Sequence, residues 1–448
     1  MSAKIWIRNG SVVNPQSGEL QIQDIWVEDG IISRIGLPTQ HQAEVDRAKA
    51  DGWKVIDAQG LLVSAGFIDL HVHLREPGFE HKETIATGTQ SAAKGGYTTI
   101  ACMPNTRPVI DTPETVKFIY DKTAAEGSAR VLPYGCITKS QLGRELTDFT
   151  ALQEAGVIAY TDDGVGVQSA GMMKKAMEAA KAHGLPVVAH CEDESLLIHG
   201  AAVTDGEFAK KHGLPGICNE SESIHVGRDI QLAEATGAHY HVCHISTTQS
   251  VRLVRDAKAR GVRVSTEVCP HHLLLCDEDI PGPDDANWKM NPPLRSPQDR
   301  DAVIQGWVDG TIDVIVTDHA PHVAEEKARG LALAPFGIVG LETAFPLLYT
   351  HFVRNGRVTL DFLLKAMTEK PADLFGLAGG RIRVGAPADI TLIDLENERA
   401  VDPNTFASKS KNTPFTGWKL YGWPVLTMLA GQVVYAEVNG APVAAATE

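Results

Sequence analysis

The strongest constraint on this chain is an alternation of two sequence patterns. Short apolar runs and amphipathic stretches take turns from residue 66 to residue 317. The runs fall at 66–74, 98–103, 131–135, 157–160, 187–190, 240–245, 262–268 and 314–317, each of a length that suits a buried strand. Between them, helical spacing marks 85–94, 114–125, 169–183, 223–236, 249–260 and 296–307. Strands separated by helices run parallel, and a parallel sheet needs cover on both faces. Eight such strands favour a closed (β/α)8 barrel; an open doubly wound sheet is the rival that counting does not eliminate.

The two ends of the chain read differently. Residues 4–8, 10–13, 21–28 and 31–35 have strand character and are punctuated by Asn-Gly, Ser-Gly and Asp-Gly turns. Residues 388–395 and 426–435 look the same, the latter interrupted at Gly431. We therefore expect an α/β chain in two units. Residues 63–384 form the barrel, and residues 1–62 join 385–448 in a small composite β-sandwich. No internal repeat is visible, and Gly164-Val165-Gly166 lacks the spacing of a dinucleotide loop.

A net charge of −15 with no dense Lys/Arg run argues against nucleic acid and anionic membranes as partners. The opening MSAKIWIRNG has no uninterrupted apolar core, and no stretch reaches ~18 apolar residues, so neither a signal peptide nor a membrane span is expected. Seven cysteines without CxxC spacing read as reduced thiols in a cytoplasmic protein. Cys191 and Cys243 each adjoin a histidine of interest. Neighbours on a strand face opposite ways, so both are read as packing residues.

The chemistry lies where the apolar runs end. The first closes on Asp69-Leu70-His71-Val72-His73, and a period of two puts both imidazoles on one face, where they can reach one metal. One such pair is weak evidence. The runs ending at His190 and His244, the run ending at Asp318, and Asp162-Asp163 beyond a fourth run change its weight. Imidazoles and carboxylates on buried strands are costly unless paired or coordinated. Four histidines and two carboxylates at strand ends suit two divalent ions per subunit. His71, His73 and Asp318 take one, His190 and His244 the other, and an aspartate lies between them. Zinc fits this ligand set, as do manganese, cobalt and iron.

The pattern resembles the amidohydrolase superfamily. The surrounding segments narrow it to the bacterial dihydroorotases of the Bacillus-like type: Asp69 to Gly78, Met103-Pro104-Asn105-Thr106, Thr161 to Val165, Glu267 to His272, and Thr317 to His322. The resemblance spans essentially the whole chain. It implies Asp163, rather than Asp162, as the bridging ligand where most of the superfamily carries a carbamylated lysine. The implied activity is the reversible cyclisation of N-carbamoyl-L-aspartate to L-dihydroorotate with loss of water, the third step of pyrimidine synthesis. Asp318 would then shuttle the proton. Arg75 would bind the substrate carboxylate as a fork, helped by His73, Asn105 and His322. Asn291 would meet the ureido edge, and Phe336-Gly337 would offer backbone contacts. Residues 323–335 are a candidate lid, while His271 and His272 are read as structural.

Two rivals stand beside this reading. Hydantoinases and allantoinases share the ligands but usually bridge through lysine and lack an arginine at position 75. Non-catalytic relatives that scaffold aspartate transcarbamoylase have typically lost ligands, whereas all six positions are filled here. A homodimer is expected, and association with aspartate transcarbamoylase is a further expectation.

Overall fold

The computed structural model describes residues 4–438, apart from 15 and 40, together with 441–443. Its centre is a ring of parallel strands. Phe67–Val72 pairs with Tyr97–Cys102, which pairs with Arg130–Pro133. Single bridges from Gly135 to Tyr160 and from Tyr160 to Val187 carry the ladder through the fourth position. Val187–Ala189, Tyr240–Val242, Val264–Val268 and Val314–Ile315 follow in order. A bridge from Val72 to His319, with a 2.8 Å bond from the His73 amide to the His319 carbonyl, joins last to first. The sheet is thus closed, and the open alternative is excluded. All eight apolar runs are used, the fourth contributing one bridging residue rather than a ladder.

Helices cover the ring. Ile85–Lys94, Pro113–Glu126, Ala170–Ala182, Thr248–Ala259 and Pro297–Val308 each begin at a Thr or Ser whose side chain accepts an amide of the first turn. Asn219–Thr236 lies among them and ends at Gly237 in the left-handed conformation. The sequence pattern missed Phe149–Ala155, Leu360–Met367 and Glu369–Phe375, which at seven or eight residues are too short to show a period. Ile68, Leu70, Ala101, Val188, Val314 and Val316 fill the barrel interior, against Ala372 below.

A slip in the first strand aims the site. The pairing register shifts between Asp69 and Val72. Ile68 and Leu70 belong to the interior cluster, but Val72 and Leu74 belong to the cluster under the helices. The shift therefore turns His71 and His73 toward the mouth. Irregularities of this kind re-aim side chains beside functional sites.

Both chain ends contribute to one nine-stranded sheet. Lys4–Val13 pairs with Leu20–Glu28 and with Lys54–Asp57, while Leu62–Ala65 pairs with Ile390–Asp394 and so links the N-terminal and C-terminal strands. Here one expectation fails. The runs at 4–8 and 10–13 are a single strand, and Asn9-Gly10 is an irregularity inside it rather than a turn. Asn9 takes φ +58°, its amide donates to Asp24 Oδ1 at 2.8 Å and its side chain to Asp57 Oδ1 at 3.0 Å. Those two carboxylates hold the kink in line.

The sheet is fused to the barrel. Leu62–Ala65 passes through Gly66 directly into Phe67–Val72. Arg130 Nη1 reaches Asp389 Oδ2 at 2.9 Å, a second tie across the junction. Among the described residues, no helix is long and apolar enough to cross a membrane.

The junction admits only glycine at position 66. A Cβ there would lie 2.2 Å from the Thr98 side chain. Gly66→Ala is expected to destabilise the fold by ~1–3 kcal/mol through overpacking. Urea unfolding would show this as a lower midpoint at constant slope; an unchanged midpoint would contradict the packing described.

Candidate functional site

The carboxyl ends of the strands converge on a cavity of about 210 Å³. At its floor His71 is fully buried, with Nδ1 2.6 Å from Glu267 Oε1. That bond leaves His71 Nε2 facing two carboxylates, Asp163 Oδ1 and Asp318 Oδ1, each at 3.5 Å. His73 Nε2 lies 3.0 Å from Asp318 Oδ1 and 3.6 Å from Asp163 Oδ2, while its Nδ1 meets Asn105 Oδ1 at 3.0 Å. On the opposite side, His190 Nδ1 is 3.0 Å from His244 Nε2 and 3.8 Å from Asp163 Oδ1. Asp163 therefore stands between two histidine sets.

Its neighbour Asp162 is engaged elsewhere. It accepts the amides of Ile137 and Thr138 at 2.8 and 3.1 Å and the Thr138 hydroxyl at 2.5 Å, closing the turn after the third strand. Of the two adjacent aspartates, only Asp163 faces the cluster.

Electrostatics sharpen the picture. Burial disfavours a charged His71, yet Glu267, Asp163 and Asp318 together raise its pKa to about 10. Burial also opposes ionisation of Asp318, but His71, His73 and His244 hold it well below the usual carboxylate range. His244 is pushed far down by burial and by the neighbouring His190 and His71. So many acidic groups in one buried spot call for positive charge. His71 Nε2 and Asp163 Oδ1 are both buried without a hydrogen-bond partner, and both face the cluster. Ligand atoms of His71, His73 and Asp163, of His71, His244 and Asp318, and of Asp163, His190 and His244 each lie within 4.8 Å of one another. This donor set fits divalent metal.

The remaining predicted residues form the walls. Arg75 sits at φ +62°; its Nε donates to the Pro321 carbonyl at 3.2 Å, and it has no carboxylate within ion-pair distance among the described residues. Burial lowers its pKa to about 10, so it stays charged. His322 is kept neutral by burial and by Arg75, Lys82 and Lys327 around it. Its Nε2 donates to the Phe336 carbonyl at 2.8 Å. Asn105 is committed to His73 and, at 3.4 Å, to Asp163 Oδ2, although it still lines the cavity. Asn291 donates to both Glu192 oxygens at 3.2 Å. The Gly337 amide is taken by the Lys289 carbonyl at 2.9 Å, and the Gly337 carbonyl by Asn412 and Lys327. Gly337 adopts φ +131°, and a Cβ there would lie 2.7 Å from Ala320.

A family model described as dihydro-orotase-like matches residues 60–250, and one described as an amidohydrolase family matches 337–435. The dihydroorotase of Brevibacillus brevis is 62% identical over 434 residues, covering 97% of this chain and 100% of the relative. The chain belongs to the dihydroorotase family. A dihydroorotase of Geobacillus sp. is 59% identical over 96% of this chain and 98% of its own length. Among solved structures, the L-hydantoinase of Arthrobacter aurescens superposes with a TM-score of 0.83 at 27% identity, covering 98% of this chain and 96% of that one. A D-hydantoinase from Thermus sp. gives 0.82 at 27%, again over 98% and 96%. This member of the dihydroorotase family thus shares the amidohydrolase barrel with enzymes named for another ring.

Sequence reasoning gave Glu267 no role. Its carboxylate bonds His71, takes His241 Nε2 at 3.0 Å and receives the His244 amide at 3.2 Å. A signal was available, since an acid on an otherwise buried strand needs partners as much as His190 does. Cys191 and Cys243 are packing residues: both are buried, with the Cys191 thiol against the Tyr240 hydroxyl at 3.0 Å. His272 donates to the Pro292 carbonyl at 2.9 Å and braces the loop that carries Asn291.

Glu267→Gln tests the support of His71. The amide keeps the shape but not the charge, and loss of such a partner weakens metal retention ~10–100-fold. Competition against a chelator measures it; unaltered retention would remove Glu267 from the metal centre.

Proposed function

We propose that this chain interconverts L-dihydroorotate and N-carbamoyl-L-aspartate with two divalent ions, zinc being the expected metal. Arg75 carries the reading. It is a charged fork without a carboxylate partner among the described residues, and it lines a cavity walled also by His73, Asp163, His190, His244 and Asp318. His71, His73 and Asp318 would hold one ion, His190 and His244 the other, with Asp163 shared. Ions held there would supply Lewis acidity toward the amide carbonyl and lower the pKa of the attacking water.

The protein groups then have distinct tasks. Arg75 grips the free carboxylate of the ring, which a bidentate guanidinium suits. Neutral His322, tied to the Phe336 carbonyl, closes that side of the cavity. Asn291 meets the ureido edge, held by Glu192. Phe336 and Gly337 shape the wall; the Phe336 carbonyl, bonded by His322, keeps a second lone pair for substrate, whereas that of Gly337 is filled by Asn412 and Lys327. Asp318, a carboxylate on the cavity wall, accepts the proton of the attacking water. As the C–N bond breaks, it passes that proton to the departing nitrogen, and the new carboxyl ionises. In the synthetic direction the carboxylate takes up a proton, the ureido nitrogen attacks its carbon, and the nitrogen's proton passes through Asp318 to the departing oxygen, so that water leaves.

On this reading the enzyme works in the cytoplasm as a homodimer and associates with aspartate transcarbamoylase. Seven free cysteines suit a reducing compartment.

Replacing Arg75 with Met is expected to lower kcat/KM for dihydroorotate by ~100-fold or more, as for other truncated buried charge pairs, with bound metal unchanged. Dihydrouracil, the same ring without the carboxylate, should be a poor substrate for the unmodified enzyme. Undiminished turnover by the variant would defeat the assignment. A separate test concerns the bridge. A lysine bridge needs CO2 to form its carbamate, whereas Asp163 is ready-made. Metal analysis after reconstitution should find about two ions per chain, as two-metal sites hold, with or without bicarbonate. Dependence on bicarbonate would rule out Asp163.

A further inference from the structure

Segment 323–335, the candidate lid, is fastened to the cavity wall by two buried lysines. It carries the short helices Ala324–Lys327 and Gly330–Leu333 and leads into Phe336-Gly337. Lys327, 5% exposed, donates from Nζ to three carbonyls: Lys289 at 3.1 Å, Pro335 at 3.0 Å and Gly337 at 2.9 Å. Lys289, 4% exposed, donates to the Leu331 carbonyl at 2.6 Å and stands 4.4 Å from the Phe336 ring centre. Neither ammonium has a carboxylate within ion-pair distance among the described residues. Burial pushes the Lys327 pKa down to about 7 and that of Lys289 to about 8, so these amines are an expensive choice for a structural tie alone. A neutral donor could serve the packing alone. The expense makes sense if the rigidity that the three carbonyl bonds impose is used by the site.

The connection runs through backbone. Lys327 and Asn412 hold the Gly337 carbonyl, His322 holds the Phe336 carbonyl, and the His322 ring lies 3.2 Å from Arg75 Nη2. We propose that Lys327 is a positioning residue for substrate binding: it latches segment 323–335 shut, fixing the Phe336-Gly337 wall and, through His322, the aim of Arg75. The proposal rests on the dihydroorotase reading given above. Asn412 alone does not replace Lys327, because it reaches neither Pro335 nor Lys289.

The test compares Lys327→Met, which keeps length but loses all three bonds, with Lys327→Gln, which keeps a donor. Both are assayed as metal-loaded full-length enzyme. Loss of positioning raises KM for dihydroorotate about 10-fold or more while kcat changes within about threefold, and Lys327→Gln falls between. A merely structural role would lower the active fraction, reducing apparent kcat at constant KM, and that result would overturn the proposal. Hydrogen exchange without substrate provides a reading independent of substrate identity. Amides of 323–337 should lose protection in Lys327→Met while those of the barrel strands do not; unchanged protection would also overturn it. Should the unmodified enzyme leave dihydroorotate untouched, the functional reading fails, and the exchange result still decides whether Lys327 is the latch.

Discussion

The mouth of the barrel depends on the 2.6 Å contact between His71 Nδ1 and Glu267 Oε1. An imidazole has two nitrogens, and giving one to a buried carboxylate commits the other to the cavity. Glu267 also binds His241 and the His244 amide, so one side chain sets the level of the first, sixth and seventh strands. Its own place is fixed by Val264–Val268, hydrogen-bonded on both sides. The imidazoles it touches hold its pKa down against complete burial, so the anion and its partners stabilise each other. The ligand geometry above this level follows from it: a tilted His71 ring would lose Asp163 and Asp318 together.

How much of this could be read from the sequence follows from range. The eight runs and most helices are local patterns, and they were legible because burial imposes its period within a few residues. The candidate ligands stood out for a related reason, since His190, His244 and Asp318 contrast with apolar strands. Choosing Asp163 over Asp162 was a matter of resemblance. What separates them physically is a set of donors at Ile137 and Thr138, some 25 positions away along the chain. Glu267 and Lys327 were opaque because their partners are far removed in sequence: His71 lies 196 positions from Glu267, and Lys289 lies 38 from Lys327. Asn9-Gly10 misled for the opposite reason. The dipeptide is a strong local turn signal, overruled here by Asp24 and Asp57 from other strands.

Strain marks the same spot. Arg75, His244 and Asp318 all hold positive φ without being glycine. Each such residue costs ~1–3 kcal/mol and persists only where its surroundings dictate it. The surroundings are identifiable. Glu267 holds the His244 amide. Asp69 takes the Thr317 amide and hydroxyl, and Thr317 Oγ1 in turn accepts the His319 amide, bracketing Asp318. Pro321 holds Arg75. Side-chain aim has been placed above backbone comfort at these positions.

These restraints have a common location. The barrel closes where Val72 meets His319, and the loops leaving that seam carry Arg75 on one side and Pro321-His322 on the other. The hydantoinases share the barrel at TM-scores of 0.82 and 0.83, so the scaffold itself does not choose the ring. On the proposed reading the choice lies in what the seam brings together. Arg75 is held by the eighth loop, and its own loop contributes nothing comparable to its orientation. A barrel that failed to close would therefore lose the aim of Arg75, and closure and the shape of this cavity wall become one constraint.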